Sequence, residues 1–147
     1  MTKDDSFDLA QFTPYLLNMA SEATSLAFQK HYKDTYGMLR TEWRVLFHLG
    51  RYGQLAARDI CDRAQLHKTK VSRAVAALRA KGFVAREDVA EDRRSSTLSL
   101  TKRGQQVYRD LSERAQSFDA KLMTRFSTDD RAKLQAMLKE LIGQTHG

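Results

Sequence analysis

The stretch that decides the fold is "LHKTKVSRAVAALRAKGFVAR", residues 66–86, which contains no acidic residue. Its six cations are Lys68, Lys70, Arg73, Arg79, Lys81 and Arg86. At about 100° per residue, Val71, Val75 and Leu78 fall on one side of a helix, which predicts a buried stripe. The question is therefore what the cationic remainder of this helix faces: solvent, a membrane or a polyanion.

The face opposite that stripe has the composition of a surface that enters a DNA groove. It carries Thr69, Ser72, Arg73 and Ala76, with Lys70 beside them. Alanine lets the backbone approach closely, hydroxyls bond phosphates or base edges, and arginine makes a bidentate contact to guanine. An interfacial membrane helix needs large apolar side chains on its inserted face, and this face has none. The pattern favours DNA over membrane or plain solvent.

The charge distribution supports the same interpretation. Residues 51–109 hold 14 Lys/Arg against 6 Asp/Glu, a net charge of +8, whereas the other 88 residues hold 11 against 12, a net charge of −1. The whole excess of the 147-residue chain, +7, thus lies in the middle segment. A concentrated basic block is typical of nucleic-acid binders.

The neighbouring segments predict a helix-turn-helix followed by a hairpin. A short helix, "ARDICDRA" (57–64), and the turn "QLHK" precede the cationic helix. Beyond Gly82, "FVARED" and "TLSLT" alternate as strands. The polar link "VAEDRRSS" (89–96) predicts a long exposed tip carrying Arg93 and Arg94, where arginine enters a narrow minor groove and Asp92 orients one of them.

The flanking segments predict long helices. One spans about 14–34 with Thr13 as its N-cap, a second follows Thr41, a third runs from Thr101 to 126, and a last one follows Ser127. The fold class is therefore mainly α with a small β-hairpin (α+β). Because the apolar stripes of the first and last two helices exceed what a thin domain can cover, we expect a homodimer, with two cationic helices about one turn apart on a pseudo-palindromic duplex.

Several classes are disfavoured by what the sequence lacks. It has no Gly-rich phosphate loop, G-x-S-x-G or H-E-x-x-H, so we expect neither an enzyme nor a cofactor. Its apolar runs are too short for a membrane helix, and its acidic start is unlike a signal peptide, which predicts the cytoplasm. Dispersed histidines and a lone Cys61 predict no metal site, and Cys61 beside Ile60 is expected to be a buried, inert thiol.

Residues 66–104 closely resemble the MarR (multiple antibiotic resistance regulator) family. The matching patterns are V-S-R-x-V-x-x-L, K-G-F-V-x-R, D-R-R and L-T-x-x-G. The resemblance covers nearly the whole chain and implies one winged helix-turn-helix protein over 1–147. It implies dimerisation helices at 1–40 and 104–147, which intertwine between two subunits, and a DNA-binding lobe at 41–103.

The resemblance also implies roles for single residues. Major-groove or nearby phosphate contacts fall to Thr69, Lys70, Ser72 and Arg73. Wing contacts fall to Arg93 and Arg94 with Asp92, and flanking phosphate contacts to Arg58 and Lys68. Two departures, Ala56 and His67, stand where the family often has a capping Ser, Thr or Asp, so we expect weaker caps there.

Regulation by a small molecule is implied too, since family members usually release DNA when a phenolic or aromatic acid binds. The candidate lining is His31, Arg40, Trp43 and Phe47, although aromatic residues on an apolar face, such as Trp43 and Phe47, are more often plain core. The predicted function is a homodimeric repressor released by such an effector. The alternative is an architectural or redox-responsive DNA-binding protein without small-molecule control. The sequence fixes neither the effector nor the target genes.

Overall fold

A computed structural model describes residues 6–89 and 92–146, with side chains at 6–88 and 96–143. The chain divides into two compact units, Met1–Leu111 and Ser112–Gly147. No helix of the described residues is both long and apolar enough to cross a membrane.

The described elements alternate long helices with a small central sheet. In chain order they are α1 (Thr13–Tyr36), α2 (Arg40–Tyr52), β1 (Leu55–Ala56), α3 (Ala57–Ala64), α4 (Lys68–Ala80), β2 (Val84–Val89), β3 (Asp92–Leu100), α5 (Lys102–Leu122) and α6 (Thr128–His146). The predicted order of α-helices and strands is confirmed except for β1, which has only two residues and is too short to show the alternation of apolar and polar residues that predicts a strand.

The start of α1 and that of α2 both differ from the prediction. Phe12, in extended conformation, is the N-cap of α1, so Thr13 is already helical and the predicted Thr13 cap is wrong. Leu39 likewise precedes α2, so Thr41 lies within the first turn rather than at the cap. Neither Phe12 nor Leu39 forms a side-chain cap hydrogen bond. Gly37, with φ 66, ends α1, and only Met38, which is fully buried, and Leu39 separate it from α2.

The sheet has the order β1-β3-β2, with both pairs antiparallel. In the hairpin Val84 pairs with Leu100 and Asp88 with Ser96, and a register shift follows Asp88. Because β3 begins at Asp92, the predicted long polar tip is wrong: most of that link is strand. Together with the helix-turn-helix of α3 and α4, this sheet gives the predicted winged helix-turn-helix fold.

The core of the first unit forms around α4, which packs against α2, α3 and β2. Val71 and Leu78 are about 1% exposed or less, and Val75 is 9% exposed, so the predicted stripe is confirmed. Each such side chain contributes roughly 1.5–3 kcal/mol through burial. From the other elements the most buried side chains are Tyr32, Met38, Leu46, Leu49, Ile60, Leu98 and Leu111.

The start of α5 lies close to the end of α4. Thr101 Oγ1 accepts a hydrogen bond from the Gly104 N–H at 3.0 Å, which confirms the predicted Thr101 cap. The Thr101 hydroxyl also donates to Gly82 O at 2.6 Å. A Cβ on Gly104 would lie 2.0 Å from the carbonyl oxygen of Phe83, so only glycine permits this approach.

The second unit begins inside α5, which ends at Leu122 and is followed by a 3-10 turn, Met123–Arg125. The predicted helix to residue 126 is therefore four residues too long. The next helix, α6, begins where expected, since the Asp130 N–H donates to Ser127 Oγ at 3.1 Å. Large exposed apolar side chains of this unit are Phe126, Met137, Leu141 and Ile142.

Replacing Gly104 with alanine tests the close approach of α5. We predict that Gly104→Ala lowers the free energy of unfolding by about 1–3 kcal/mol, because the added methyl meets rigid backbone rather than a flexible side chain. Urea denaturation measures it, with Gln105→Ala as the control, since Gln105 is an exposed neighbour on the same helix. Equal stability of the two variants would contradict the packing described.

Candidate DNA-binding surface and small-molecule pocket

A three-residue turn joins α3 to α4. Gln65 follows the last residue of α3 in the left-handed region, with φ 55, and its N–H donates to Cys61 O. Leu66 N–H donates to the same carbonyl at 3.1 Å. His67 is extended and caps α4. The turn therefore sets the direction of α4 within three residues.

The cap of α4 is the side chain of His67. His67 Nδ1 accepts a hydrogen bond from the Thr69 N–H at 3.2 Å. An imidazole nitrogen is therefore the N-cap acceptor in place of the usual hydroxyl or carboxylate. A side-chain cap is thus present at His67, where a weaker cap is expected from the sequence. At the start of α3 the expectation is confirmed, because Ala56 is the N-cap and provides no side-chain bond.

The outward face of α4 is arranged as the sequence predicts. All four groove candidates on it are exposed, namely Thr69, Lys70, Ser72 and Arg73. Ala76 is exposed between them, so no bulky side chain covers the backbone there. Lys68 at the start of α4 and Arg58 on α3 are exposed as well. The face thus combines donors, small residues and positive charge.

Two of the six cations of residues 66–86 form ion pairs with carboxylates from outside the α4 helix. Lys81 Nζ lies 3.1 Å from Glu42 Oε1, and Arg86 Nε lies 3.1 Å from Asp88 Oδ1. The Glu42 side chain is only 5% exposed, so its pair with Lys81 is structural and joins α2 to the end of α4. The other four, Lys68, Lys70, Arg73 and Arg79, form no ion pair with a carboxylate of the described residues.

The hairpin supplies the second part of this surface. Asp92, Arg93 and Arg94 belong to β3, but their side chains lie outside the described ones. The described base of the hairpin is fixed to the segment before β1, since Gln54 Nε2 donates to Thr97 Oγ1 at 2.6 Å.

A cavity of about 390 Å³ lies between α1 and α2 and contains three of the four predicted effector residues. Its lining is Ser21, Ser25, Arg40, Trp43, Arg44, Phe47 and His48. His31 is not part of it; its ring packs on Phe28 with 5.0 Å between centroids. The sequence interpretation missed Arg44 and His48, although Arg44 lies four residues after Arg40 and His48 four after Arg44, a spacing that follows one face of a helix.

The aromatic wall of this cavity is well packed. The Trp43 and Phe47 rings meet edge to face at 4.4 Å, and Phe47 meets Tyr108 at 5.1 Å. Trp43 also stacks on the buried Tyr32, with centroids 5.6 Å apart. Both Trp43 and Phe47 remain half-exposed, so they support the core on one side and line the cavity on the other.

Cationic donors line the rest of the cavity. Arg40 Nη1 lies 3.0 Å from Glu22 Oε1; their hydrogen bond holds the pKa of the Glu22 carboxyl below its ordinary value and raises the pKa of Arg40. Arg44 Nη2 donates to Ala64 O at 2.6 Å. His48 Nδ1 lies 2.6 Å from Arg44 O, an acceptor, which places a proton on Nδ1. This chemistry suits a small planar anion.

Cys61 is half-buried rather than buried, which corrects the burial expected for it. Within the described parts of the chain, no group of three or more His, Cys, Asp or Glu side chains is placed to hold a metal ion.

Residues 36–95 match the MarR family. The fold is similar to that of a MarR/EmrR family transcriptional regulator from Acinetobacter sp. ADP1, with a TM-score of 0.85 and 26% identity over 95% of this chain and 99% of that one. The sequence is 21% identical over 132 residues to an uncharacterized HTH-type transcriptional regulator, YwoH, of Bacillus subtilis (strain 168), over 88% of this chain and 96% of that protein.

A third likeness concerns the fold alone. BpsR of Bordetella bronchiseptica, whose DNA binding is regulated by 6-hydroxynicotinic acid, is 18% identical with a TM-score of 0.81, over 92% of this chain and 96% of that one.

Proposed function

This chain belongs to the MarR family of transcriptional regulators, and from that membership we propose that it is a homodimeric repressor that binds a pseudo-palindromic duplex and releases it when a small aromatic anion binds. Regulators of this family bind DNA and often dimerise and bind small ligands. Because the proposed partner is chromosomal DNA, we also propose the cytoplasmic location that the sequence predicts.

The exposed face of α4 carries the DNA part of the proposal. Thr69, Lys70, Ser72 and Arg73 stand together on it, and the stripe on its other side is buried. Because that burial holds the helix backbone in place, the backbone that carries these side chains does not have to be ordered when a groove is bound. Arg73 is the candidate for a bidentate guanine contact, and Lys70 and the hydroxyls are candidates for phosphates or base edges.

The flanking contacts follow the same logic. Arg58 and Lys68 are exposed on either side of the turn and would contact phosphates. Arg93 and Arg94, within β3, would reach the neighbouring minor groove, with Asp92 orienting one of them. These wing contacts would hold the protein on the duplex, whereas the face of α4 would read the sequence.

Dimerisation is proposed through residues 1–40 and 104–147, with 41–103 as the DNA-binding lobe. Around α1 the large exposed apolar side chains are Phe7, Leu9, Phe12, Leu16, Leu17, Met19 and Leu26. A second such set lies on and beside α6. Apolar surface on this scale is expected to be covered by a partner, and a second copy of the chain offers the complementary surface by symmetry.

The cavity between α1 and α2 is the proposed effector site. Trp43 and Phe47 offer faces for an aromatic ring, and Arg40 and Arg44 offer donors for a carboxylate. The regulation of BpsR by a small aromatic acid supports this choice of ligand class.

Replacing Arg73 tests sequence readout. We predict that Arg73→Ala weakens binding to a duplex selected from a random pool by about 1–3 kcal/mol and relaxes the preference at one position per half-site. Fluorescence anisotropy measures both. The control is Arg79→Ala, since Arg79 stands about 120° around the same helix. Equal losses on selected and random duplexes would contradict the role of Arg73.

Replacing Arg94 tests the wing. Arg94→Ala is expected to weaken binding to all duplexes alike and to reduce the slope of log affinity against log salt by about 2, because the two subunits of the dimer together lose two phosphate-neutralising charges. An unchanged slope would contradict this. A smeared footprint with no preferred site in the unaltered protein would instead favour an architectural DNA binder.

Placing a charge on α1 tests the dimer. Leu26 is 60% exposed in the single chain, and Leu26→Glu is expected to raise the dimer dissociation constant about hundredfold, since symmetry introduces the charge twice. Sedimentation velocity measures the change. Tyr52→Glu, at another exposed apolar side chain within 41–103, is the control and should leave the dimer intact. An unaffected Leu26→Glu dimer would contradict the assigned interface.

The effector site is tested through Trp43, the single tryptophan of the chain, whose fluorescence reports on the cavity. Benzoate, 4-hydroxybenzoate and 6-hydroxynicotinate are titrated, each beside its neutral amide. We predict that Arg40→Gln weakens binding of the acid about tenfold and leaves the amide unchanged. Arg51→Gln, on α2 but outside the cavity, is the control. If neither acids nor amides change the fluorescence, the proposed ligand class is wrong.

A further inference from the structure

Arg44 belongs to two parts of the molecule at once. It lines the cavity between α1 and α2. Its Nη2 also donates to the carbonyl of Ala64 at 2.6 Å, and Ala64 is the last residue of α3. One guanidinium therefore connects the cavity directly to the turn of the helix-turn-helix.

The carbonyls at the end of α3 have few other partners available. The last four carbonyls of a helix have no acceptor role within it. Here Cys61 O accepts from the N–H groups of Gln65 and Leu66, and Asp62 O accepts from the Gln65 side chain at 2.7 Å. Ala64, which is only 3% exposed, has Arg44 as the donor to its carbonyl. Without that donor a polar group in a buried residue would lose its hydrogen bond.

The turn between α3 and α4 begins one residue after this bond. Gln65 occupies the left-handed region, which a residue with a Cβ adopts only when its surroundings hold it there. Three residues then lead to Lys68, the first residue of α4. The bond from Arg44 to Ala64 is therefore made only four residues before the N-terminal turn of α4, where Thr69 and Lys70 lie.

We propose that Arg44 is the positioning residue that couples the cavity to DNA binding: an anion in the cavity turns the Arg44 guanidinium away from Ala64 and so loosens the turn that aims α4. A carboxylate forms shorter and stronger bonds with arginine than a neutral carbonyl does, and bidentate contact fixes the plane of the guanidinium. The anion and the carbonyl of Ala64 thus compete for the orientation of one planar group.

This inference rests on the proposed function and deepens it by assigning the route of regulation. Coupling of this kind is reciprocal, so bound DNA must weaken anion binding by the same factor by which the anion weakens DNA binding. Arg40, in contrast, pairs with Glu22 on α1 and has no contact of this kind with the turn. The matched comparison is Arg51, which lies on α2 but outside the cavity.

The first experiment uses no anion. Arg44→Gln, too short to reach Ala64, is expected to lower affinity for the selected duplex about tenfold and to speed amide hydrogen exchange at residues 65–69. Arg51→Gln, which removes the same charge from α2 outside the cavity, should change neither. Wild-type DNA affinity together with wild-type exchange in Arg44→Gln overturns the proposal, whatever the effector is.

A second variant separates positioning from general loss of packing. Arg44→Lys retains one charged donor, so its DNA affinity and its exchange at residues 65–69 should fall between those of the wild type and Arg44→Gln. If Arg44→Gln does not fold, as judged by circular dichroism, Arg44→Lys decides: faster exchange confined to the turn supports the proposal, and exchange unchanged from wild type overturns it.

The second experiment adds 6-hydroxynicotinate at saturation. In the wild type it should lower DNA affinity about tenfold and speed exchange at the same amides, whereas in Arg44→Gln it should cause no further fall. If it releases DNA equally from both, the coupling role of Arg44 is overturned while the proposed effector site stands. If it does not bind the wild type, the proposed ligand class fails, and the anion-free comparison still decides the role of Arg44.

Discussion

The buried side of α4 determines what the rest of the molecule can do. Val71, Val75 and Leu78 lie against a core to which α2, α3 and β2 contribute, and this packing leaves the opposite side of the helix to solvent. Burial of the three contributes several kcal/mol, at roughly 1.5–3 kcal/mol each. This burial holds α4 in place although Lys68, Lys70, Arg73 and Arg79, which form no ion pair with a described carboxylate, repel one another. A bound polyanion would remove that repulsion.

The helix α2 connects the cavity to the helix-turn-helix. One face of α2 buries Val45, Leu46 and Leu49 in the core. Another carries the arginines and aromatic rings of the cavity. Glu42 is fixed to Lys81 at the end of α4, and Arg44 to the end of α3, so α2 contacts both helices of the motif through charged groups. Side chains of α2 therefore hold the DNA-binding motif at its turn and at the end of α4.

The sequence predicts the elements whose signal is local. The period of α4, the bounds of α3 and the glycine after α4 are visible in the residue order, because each depends on one helix or one turn. The starts of α1 and α2 are not visible there, because the residues that precede them, Phe12 and Leu39, have no side chain that can cap a helix. The hairpin was predicted too short because polar residues such as Ser95 and Ser96 pair within β3 as strand. The role of Arg44 is invisible without the fold, since its partner Ala64 lies 20 positions away.

The central claim is that two copies of the α4 face occupy successive major grooves of one duplex. Methylation interference tests this most directly, because a methyl group on guanine N7 blocks the major-groove edge that an arginine reads and leaves the minor groove open. On a selected palindromic duplex we expect interference at guanines of two half-sites about one helical turn, 10–10.5 base pairs, apart. Interference at adenine N3 alone, in the minor groove, or at no base at all, would contradict it.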